Sequence, residues 1–222
     1  IERHYFGKQG DVHVLNIGCD YVNNSAKRGG AIYAISPNTI EHIYCIFLYN
    51  SAKTAAGALE VEEVPTSKIL FCAFRNNSRL RSIVLREDYQ QSGGIVFEKN
   101  IKLSINAYSL YSNNQGKEPG GTVKLNGIEI HYEMRNIYSK NYVSGSGGAI
   151  YFSNINIIQL SGCIFRANLV TVFGGAIFGE NLKKILLNIR SLYIDNHSRK
   201  GGAIYLSDAT EIRNIFSKFT FN

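Results

Sequence analysis

The composition of this 222-residue chain is that of a globular protein, with 45% hydrophobic residues, 18% charged residues, 21 glycines and only 3 prolines. It excludes an intrinsically disordered chain, and no apolar run reaches the roughly 18 residues of a transmembrane helix. The formal net charge is +7 without a nucleic-acid-binding motif, so no nucleic-acid partner is predicted. The basic residues form either solvated turns or a face for an acidic glycan or other polyanion.

Two short sequence markers alternate from one end of the chain to the other. One is an aromatic residue followed three positions later by Asn, and the other is Gly-Gly-Ala-Ile or a close variant. The first recurs every 26 to 28 residues and the second every 27, except for one interval of 37 in each series. Because both series lengthen between Asn77 and Gly93, they predict one repeat with a single insertion. The aromatic/Asn pairs are Tyr21/Asn24, Phe47/Asn50, Phe74/Asn77, Tyr111/Asn114, Tyr138/Asn141, Phe165/Asn168, Tyr193/Asn196 and Phe219/Asn222, and the glycine markers are Gly29–Ile32, Ala56–Leu59, Gly93–Val96, Gly120–Val123, Gly147–Ile150, Gly174–Ile177 and Gly201–Ile204.

Each repeat contains at least two predicted strands. Apolar and polar residues alternate before the aromatic residue, as in Ile43-Cys45-Phe47 and Ile189-Ser191-Tyr193, which is strand periodicity. A second strand follows the glycines, where the fourth marker residue is always apolar. Since the next position includes Glu and Lys, we expect that column to face water. Its members are Tyr33, Glu60, Phe97, Lys124, Tyr151, Phe178 and Tyr205.

A repeat of 27 residues with short strands and no helical stripe predicts an all-β fold, a right-handed parallel β-helix of about eight coils. A leucine-rich repeat is the alternative, because Leu160-Cys163-Phe165-Asn168 fits its spacing, but a glycine pair follows where that fold needs a convex segment. Residues 1–222 are predicted to form a single domain, a fragment of a longer repeat array. The insertion, of about ten residues, is predicted as a loop at about residues 78–92.

The paired markers resemble the repeats of the chlamydial polymorphic outer membrane proteins and of similar surface proteins in protists. The resemblance covers the chain from about Cys19 to Asn222. It implies a secreted or surface-displayed β-helix, used in adhesion. The β-barrel translocator of the bacterial family has no counterpart in this sequence.

Equivalent residues of stacked coils should form ladders along the axis. The Asn of the first marker is predicted to be structural, its amide bonding backbone groups and the amide of the next coil. Cys19, Cys45, Cys72 and Cys163 share a second column with Ser and Asn residues. Their Cβ atoms should lie about 4.8 Å apart, too far for a disulfide, and a line of thiols is no tetrahedral site. We therefore predict buried free thiols and no metal. The predicted Asn ladder is Asn24, Asn50, Asn77, Asn114, Asn141, Asn168, Asn196 and Asn222.

Two surfaces are candidates for binding. The first is the outward aromatic column Tyr151, Phe178 and Tyr205, whose rings could stack on sugars or bury against a partner, or only stiffen the sheet. The second is the insertion, a loop on a rigid scaffold that carries Arg79, Arg81, Arg86 and Tyr89. A functionless insertion is the alternative to the second.

A carbohydrate-active enzyme on a pectate-lyase-like β-helix is the competing prediction, either a polysaccharide lyase or a glycoside hydrolase. Such enzymes need clustered carboxylates. The best pair is Glu180 with Asp208, in adjacent coils. The five His residues occupy unrelated phases, and no catalytic His arrangement is predicted. No cofactor is predicted either.

The sequence therefore favours a non-enzymatic repeat module, located outside the cell or at its surface. It would serve adhesion or build an extracellular fibre or coat, with a protein or glycan at the cell surface as partner. End-to-end self-association through uncapped coils is a further expectation, and this fragment has no predicted membrane span. Glycosylation sequons occur at Asn23, Asn76 and Asn196, the last of which is expected to be too buried for modification.

Overall fold

The computed structural model describes residues 12–79, 94–117 and 120–222. In these ranges all regular structure is β, and 25 strands form three sheets of eleven, eight and six strands. The strands of successive coils pair in parallel in each sheet. Across the described ranges, no helix is long and apolar enough to cross a membrane. The predicted parallel β-helix is confirmed.

The first and largest sheet carries the strands that follow the glycine pairs and their continuations. Its strands are β1 (His13–Ile17), β4 (Ile32–Ile35), β5 (Thr39–Ile43), β8 (Leu59–Glu62), β9 (Thr66–Leu70), β12 (Val96–Ala107), β15 (Val123–Met134), β18 (Ile150–Ser161), β21 (Ile177–Ile189), β23 (Ile204–Ala209) and β24 (Ile212–Ile215).

The second sheet takes one short strand from each coil, centred on the aromatic residue of the first marker. These strands are β2 (Asp20–Val22), β6 (Ile46–Leu48), β10 (Ala73–Arg75), β13 (Leu110–Ser112), β16 (Ile137–Ser139), β19 (Ile164–Arg166), β22 (Leu192–Ile194) and β25 (Lys218–Thr220). The third sheet follows the ladder Asn and contains β3 (Ser25–Ala26), β7 (Ser51–Ala52), β11 (Ser78–Arg79), β14 (Gln115–Lys117), β17 (Tyr142–Ser144) and β20 (Leu169–Val170).

The register of the sheets follows the sequence repeat. Ile150 pairs with Ile177, 27 residues later, whereas Leu59 pairs with Val96 across the one interval of 37. The described chain makes about seven turns, in rough agreement with the eight coils predicted. A bulge between Ile155 and Ile157 accommodates an extra residue in β21.

Besides the first glycine of the marker, three columns of residues with a positive φ form corners between the strands of the coils. The first corner column, directly before the Cys column, has φ of 50–62°. The second, directly before the ladder Asn, has φ of 52–56°. The third divides the first sheet, so that the long strands bend at Asn100, Gly127, Asn154 and Asn181. Alternation within each strand then sends its residues either into the core or to the surface.

The core contains one continuous stack of aromatic rings, here called the inner ring ladder. Neighbouring rings are nearly parallel, with centroids 4.4–5.2 Å apart. From Phe47 to Tyr193 every ring is fully buried. Ile, Leu and Val side chains from the first sheet fill the remaining interior. The ladder consists of Tyr21, Phe47, Phe74, Tyr111, Tyr138, Phe165, Tyr193 and Phe219.

The insertion begins later than the sequence predicted. Ser78 and Arg79 were assigned to the loop, but they form strand β11, which pairs with Ser51 and Ala52 of the preceding coil. The reason is that the residues after the ladder Asn continue the third sheet in this coil as in the others. Arg81, Arg86 and Tyr89, the remaining predicted loop contacts, lie outside the described residues.

Candidate interaction face

The aromatic column predicted to face water is largely covered. Tyr151 and Phe178 are only 9% and 8% exposed, and Tyr205 is half-buried. Glu60 and Lys124, the charged members on which the prediction rested, are 0% and 3% exposed. The prediction of an open aromatic face at Tyr151, Phe178 and Tyr205 is therefore wrong.

The glycine pairs explain why this column is covered. Where the structure describes the first glycine of a pair, that glycine has a positive φ and folds the preceding segment back over the strand that follows. A Cβ on Gly201 would lie 2.9 Å from the Cβ of Tyr205, so only glycine permits this approach. Phe173, directly before such a pair, stacks on Tyr205 and Phe178 at centroid distances of 4.6 and 6.0 Å.

The charged members of the column are held by local partners. Arg28 pairs with both Glu60 and Glu62, and its guanidinium lies 4.3 Å from the ring centroid of Tyr33. Burial raises the pKa of Glu60 to about 7, and burial together with Arg79 lowers the pKa of Lys124 to about 7. The column is therefore largely buried, and its charged members interact within the protein.

A different set of aromatic rings is exposed, at the first corner. Tyr44, Phe71 and Tyr108 are 60%, 44% and 47% exposed and occupy three successive coils. Their rings stack with centroids 4.9 Å apart at both steps. The guanidinium of Arg135, in the next coil, lies 5.6 Å from the ring centroid of Tyr108. We call Tyr44, Phe71 and Tyr108 the outer ring ladder.

The backbone of the outer ring ladder is costly for large side chains. All three residues have φ of 54–56°, a conformation that costs an L-residue other than Gly, Asn or Asp about 1 kcal/mol or more. Gly18 and Gly162 occupy the same column and avoid this cost. At the second corner, three coils use Asn instead. Neither the backbone nor core burial explains aromatic residues at the first corner, which favours a role at the surface.

An apolar stripe runs beside the outer ring ladder on the second sheet. Its residues are the first members of six consecutive strands, and Ile46 and Ile137 are 41% and 40% exposed while the others are half-buried. Because the six strands pair in parallel and in register, these side chains form one continuous row along the axis. The stripe consists of Ile46, Ala73, Leu110, Ile137, Ile164 and Leu192.

Cationic side chains surround the ladder and the stripe. The surface between the first and second corners, here called the turn face, carries six cations and two carboxylates. In the part of the chain that the structure describes, none of these six cations forms an ion pair. Of the two carboxylates, Asp195 has its Oδ1 atom 2.9 Å from Nε2 of His197. The cations are Arg75, Arg135, Lys140, Arg166, Arg190 and Lys218, and the carboxylates are Asp20 and Asp195.

The Asn residues of the first marker stack as one hydrogen-bonded ladder under the second corner. The Asn141 amide donates to the backbone oxygen of Tyr111 at 3.1 Å and to Oδ1 of Asn168 at 3.0 Å. Its own Oδ1 accepts from the backbone and the side chain of Asn114. The same contacts recur from Asn24 to Asn222. This ladder satisfies buried backbone groups, which is a structural role.

The Cys column forms a second polar ladder, which the sequence reasoning missed. The backbone N–H of Cys72 donates to the hydroxyl of Ser109 at 3.1 Å, and that of Ser109 to Oδ1 of Asn136 at 2.7 Å. Replacement of Cys by Ser or Asn was the available signal, because all three side chains can accept a hydrogen bond. All four Cys are free, Cys19 is half-buried, and burial raises the pKa of Cys72 and Cys163 to about 12. Such thiols are unreactive.

A buried polar cluster interrupts the apolar core near the middle of the β-helix. Glu133 is fully buried and accepts hydrogen bonds from Asn106, Asn136, Tyr138 and His131. The His131 Nε2 atom lies 2.8 Å from its carboxylate. The sequence reasoning placed the histidines in unrelated phases and did not foresee this contact. The sequence feature that could have indicated this contact is the recurrence of polar residues at inward strand positions.

The cluster extends toward the preceding coils through Glu98. Ser67 donates to Glu98 at 2.6 Å, and Ser104 donates to the other carboxylate oxygen. The Ser104 hydroxyl also lies 2.8 Å from Nδ1 of His131. Because every member is at most 2% exposed, no substrate can reach this His–carboxylate pair. Its hydrogen bonds join neighbouring coils, although the buried Oδ1 atom of Asn106 has no hydrogen-bond partner among the described residues.

The carboxylates predicted as the best catalytic pair do not contact each other. Glu180 accepts a hydrogen bond from the Tyr151 hydroxyl at 2.6 Å. It pairs in register with Ser207, and Asp208 sits one position later at the exposed third corner. Within the described ranges, no three His, Cys, Asp or Glu side chains are grouped as metal ligands would be.

Of the three sequons, the one at Asn196 is fully buried in the ladder, as expected. Asn23 is exposed and Asn76 is half-buried, both at the second corner.

No family model, curated protein or solved structure matches this chain.

Proposed function

We propose that this chain is a non-enzymatic repeat module that binds a macromolecule outside the cell, in adhesion or in an extracellular coat, through its turn face. The observation that carries the proposal is the outer ring ladder. Three large rings are exposed in successive coils, at a corner where glycine would be less strained. Large exposed aromatic residues beside an apolar stripe are typical of binding surfaces.

The scaffold supports this proposal because it is rigid under the exposed rings. The inner ring ladder and the Asn ladder hold the coils in a fixed register. Tyr44, Phe71 and Tyr108 therefore meet a partner in one arrangement, which lowers the entropy cost of binding. The resemblance of the aromatic-x-x-Asn and Gly-Gly-Ala-Ile markers to polymorphic outer membrane proteins supports display at a cell surface.

The proposal is tested by replacing the outer ring ladder and measuring binding. The variant carries Tyr44→Asn, Phe71→Asn and Tyr108→Asn, because Asn tolerates the left-handed backbone. Its matched control carries Tyr142→Asn and Leu169→Asn, which removes side chains that are 40% and 47% exposed on the third sheet. Both are applied to an array of extracellular proteins and glycans, and circular dichroism checks that both remain folded.

We expect the unaltered protein to bind at least one component of the array. The ring variant should lose about tenfold or more in affinity, which corresponds to about 1.4 kcal/mol, and the control should bind as the unaltered protein does. Binding that survives in the ring variant would place the contact elsewhere. Polysaccharide turnover that is lost on changing Glu180 or Asp208 would replace the proposal with an enzyme.

A further inference from the structure

The orientation of the exposed rings indicates what they can contact. Tyr44, Phe71 and Tyr108 stack on one another, with 13–21° between ring planes, so both faces of Phe71 and one face each of Tyr44 and Tyr108 are covered by a neighbouring ring. The outer face of Tyr108 is taken by the guanidinium of Arg135. What meets solvent is therefore mainly the ring edges, which carry the positive end of the quadrupole. Sugar rings stack on aromatic faces, whereas ring edges favour carbonyl and carboxylate oxygens.

The apolar stripe beside the ladder favours the same kind of partner. Aliphatic side chains such as Ile46, Leu110 and Ile137 offer a sugar no hydrogen bonds. They gain free energy by burial against other apolar side chains. An apolar centre with aromatic residues and arginines around it is the composition of a protein-binding surface.

The charge of the turn face argues against a second copy of this chain as the partner. Face-to-face pairing would bring six cations and only two carboxylates of each copy together. Like charges in an interface disfavour association, whereas carboxylates on a partner would complement Arg75, Arg135 and Lys140. The complementary surface is therefore acidic.

The turn face is large enough for a stable complex. Eight parallel strands span about 34 Å along the axis, and the three-residue strands with their two corners span about 18 Å. This gives roughly 600 Å² on each partner. The total for the two partners is about 1,200 Å², which exceeds the total of about 1,000 Å² that distinguishes specific interfaces.

Resting on the proposed function, we propose that the turn face binds a protein segment whose apolar side chains are flanked by carboxylates. The apolar side chains pack on the stripe between Ile46 and Leu192. The carboxylates meet the edges of the outer ring ladder and the unpaired cations beside it. Binding of this kind combines apolar burial with a salt-dependent attraction.

The test uses short synthetic peptides as probes, measured by fluorescence anisotropy against the whole chain. One peptide alternates Leu and Glu, a second alternates Leu and Lys, and a third alternates Ser and Glu. Soluble polygalacturonate serves as an anionic polysaccharide. The protein variants are Phe71→Asn with Ile137→Ser, Arg75→Gln with Arg135→Gln, and the control Tyr142→Asn with Leu169→Asn.

We expect the Leu–Glu peptide to bind at least about tenfold more tightly than the other two peptides and polygalacturonate. The Phe71/Ile137 variant should lose about tenfold in affinity, and the Arg75/Arg135 variant should bind more weakly and with a smaller salt dependence. The control variant should match the unaltered protein. Thermal unfolding of each variant shows that a loss of binding is not a loss of fold.

Several results would overturn this inference. Equal binding of the Leu–Lys peptide would indicate unspecific apolar adhesion, and equal binding of the Ser–Glu peptide would indicate charge alone. No binding of any peptide, or a dimer in sedimentation that Ile137→Ser dissociates, would also contradict it. Tighter binding of polygalacturonate that depends on Phe71 would overturn this inference while leaving the proposed function intact.

Discussion

The inner and outer ring ladders differ in environment although they are built in the same way. The inner rings stack at 4.4–5.2 Å and are fully buried from Phe47 to Tyr193, and the outer rings stack at 4.9 Å and remain 44–60% exposed. Parallel coils impose this spacing on any column, so stacking itself does not distinguish core from surface. What differs is the side of the sheet to which the rings point. The inner rings stabilise the fold by burying apolar area in the core, and the outer rings leave apolar area exposed for a partner.

Replacing one ring from each ladder should give the largest difference. Phe74→Ala removes a fully buried ring from between Phe47 and Tyr111, which should lower the free energy of unfolding by about 3–5 kcal/mol. Phe71→Asn, only three residues earlier, should change it by less than about 1 kcal/mol, because the lost stacking is offset by a residue suited to the left-handed backbone. Urea denaturation of both variants measures the contrast. Similar losses would show that the outer ring ladder is also part of the core.

The Asn ladder offers the next largest contrast between the inside and outside of one coil. Asn141→Ala removes two donated and two accepted hydrogen bonds and leaves a buried backbone oxygen of Tyr111 without this donor. We expect a loss of about 3 kcal/mol in the free energy of unfolding. Ser139→Ala, on the outward side of β16 in the same coil, is the control and should stay within about 0.5 kcal/mol. Equal effects would mean that the ladder contributes only local turn geometry.

The fold was predictable because two periodic markers report the same geometry. Apolar alternation placed Cys45 and Phe47 inside, and the interval from Leu59 to Val96 located the insertion. The same alternation places Tyr44 outside, directly before Cys45. An aromatic residue in front of the Cys column in three successive coils was therefore a readable signal of the outer ring ladder. The aromatic column that the sequence indicated as exposed was instead Tyr151, Phe178 and Tyr205.

What the sequence could not show is how the corners cover neighbouring strands. The burial of Tyr151 depends on Gly147, since a Cβ there would lie 3.1 Å from the Tyr151 Cα atom. Residue identity alone made Glu60 and Lys124 appear solvent-facing, although Arg28 and the rings of Phe97 and Tyr151 accommodate them. Long-range covering of this kind depends on three-dimensional corner geometry, and no strand periodicity encodes it.

The buried His42 side chain beside the inner ring ladder should make the free energy of unfolding depend on pH, with a smaller effect than the two substitutions above. His42 lies edge-on to Phe47 of the inner ring ladder, at a centroid distance of 5.7 Å. Burial lowers its pKa from 6.5 to about 4. The unfolded chain therefore binds a proton more readily below pH 6.5, and the stability present above that pH is lost as the pH falls toward 4. Between pH 7 and pH 5 this should remove about 2 kcal/mol from the free energy of unfolding.

The difference between the unaltered protein and His42→Asn isolates this contribution. Asn is the matched replacement because Asn16, Asn106 and Asn188 occupy the same inward column. Urea denaturation at several pH values should show that the stability of the variant falls about 2 kcal/mol less between pH 7 and pH 5, since the contributions of other titrating groups cancel. Parallel pH profiles would contradict this, because they would mean that the pKa of His42 is the same in the folded and the unfolded chain. A charged imidazole would then be tolerated against the inner ring ladder, and water would reach the core beside Phe47 more readily than its burial indicates.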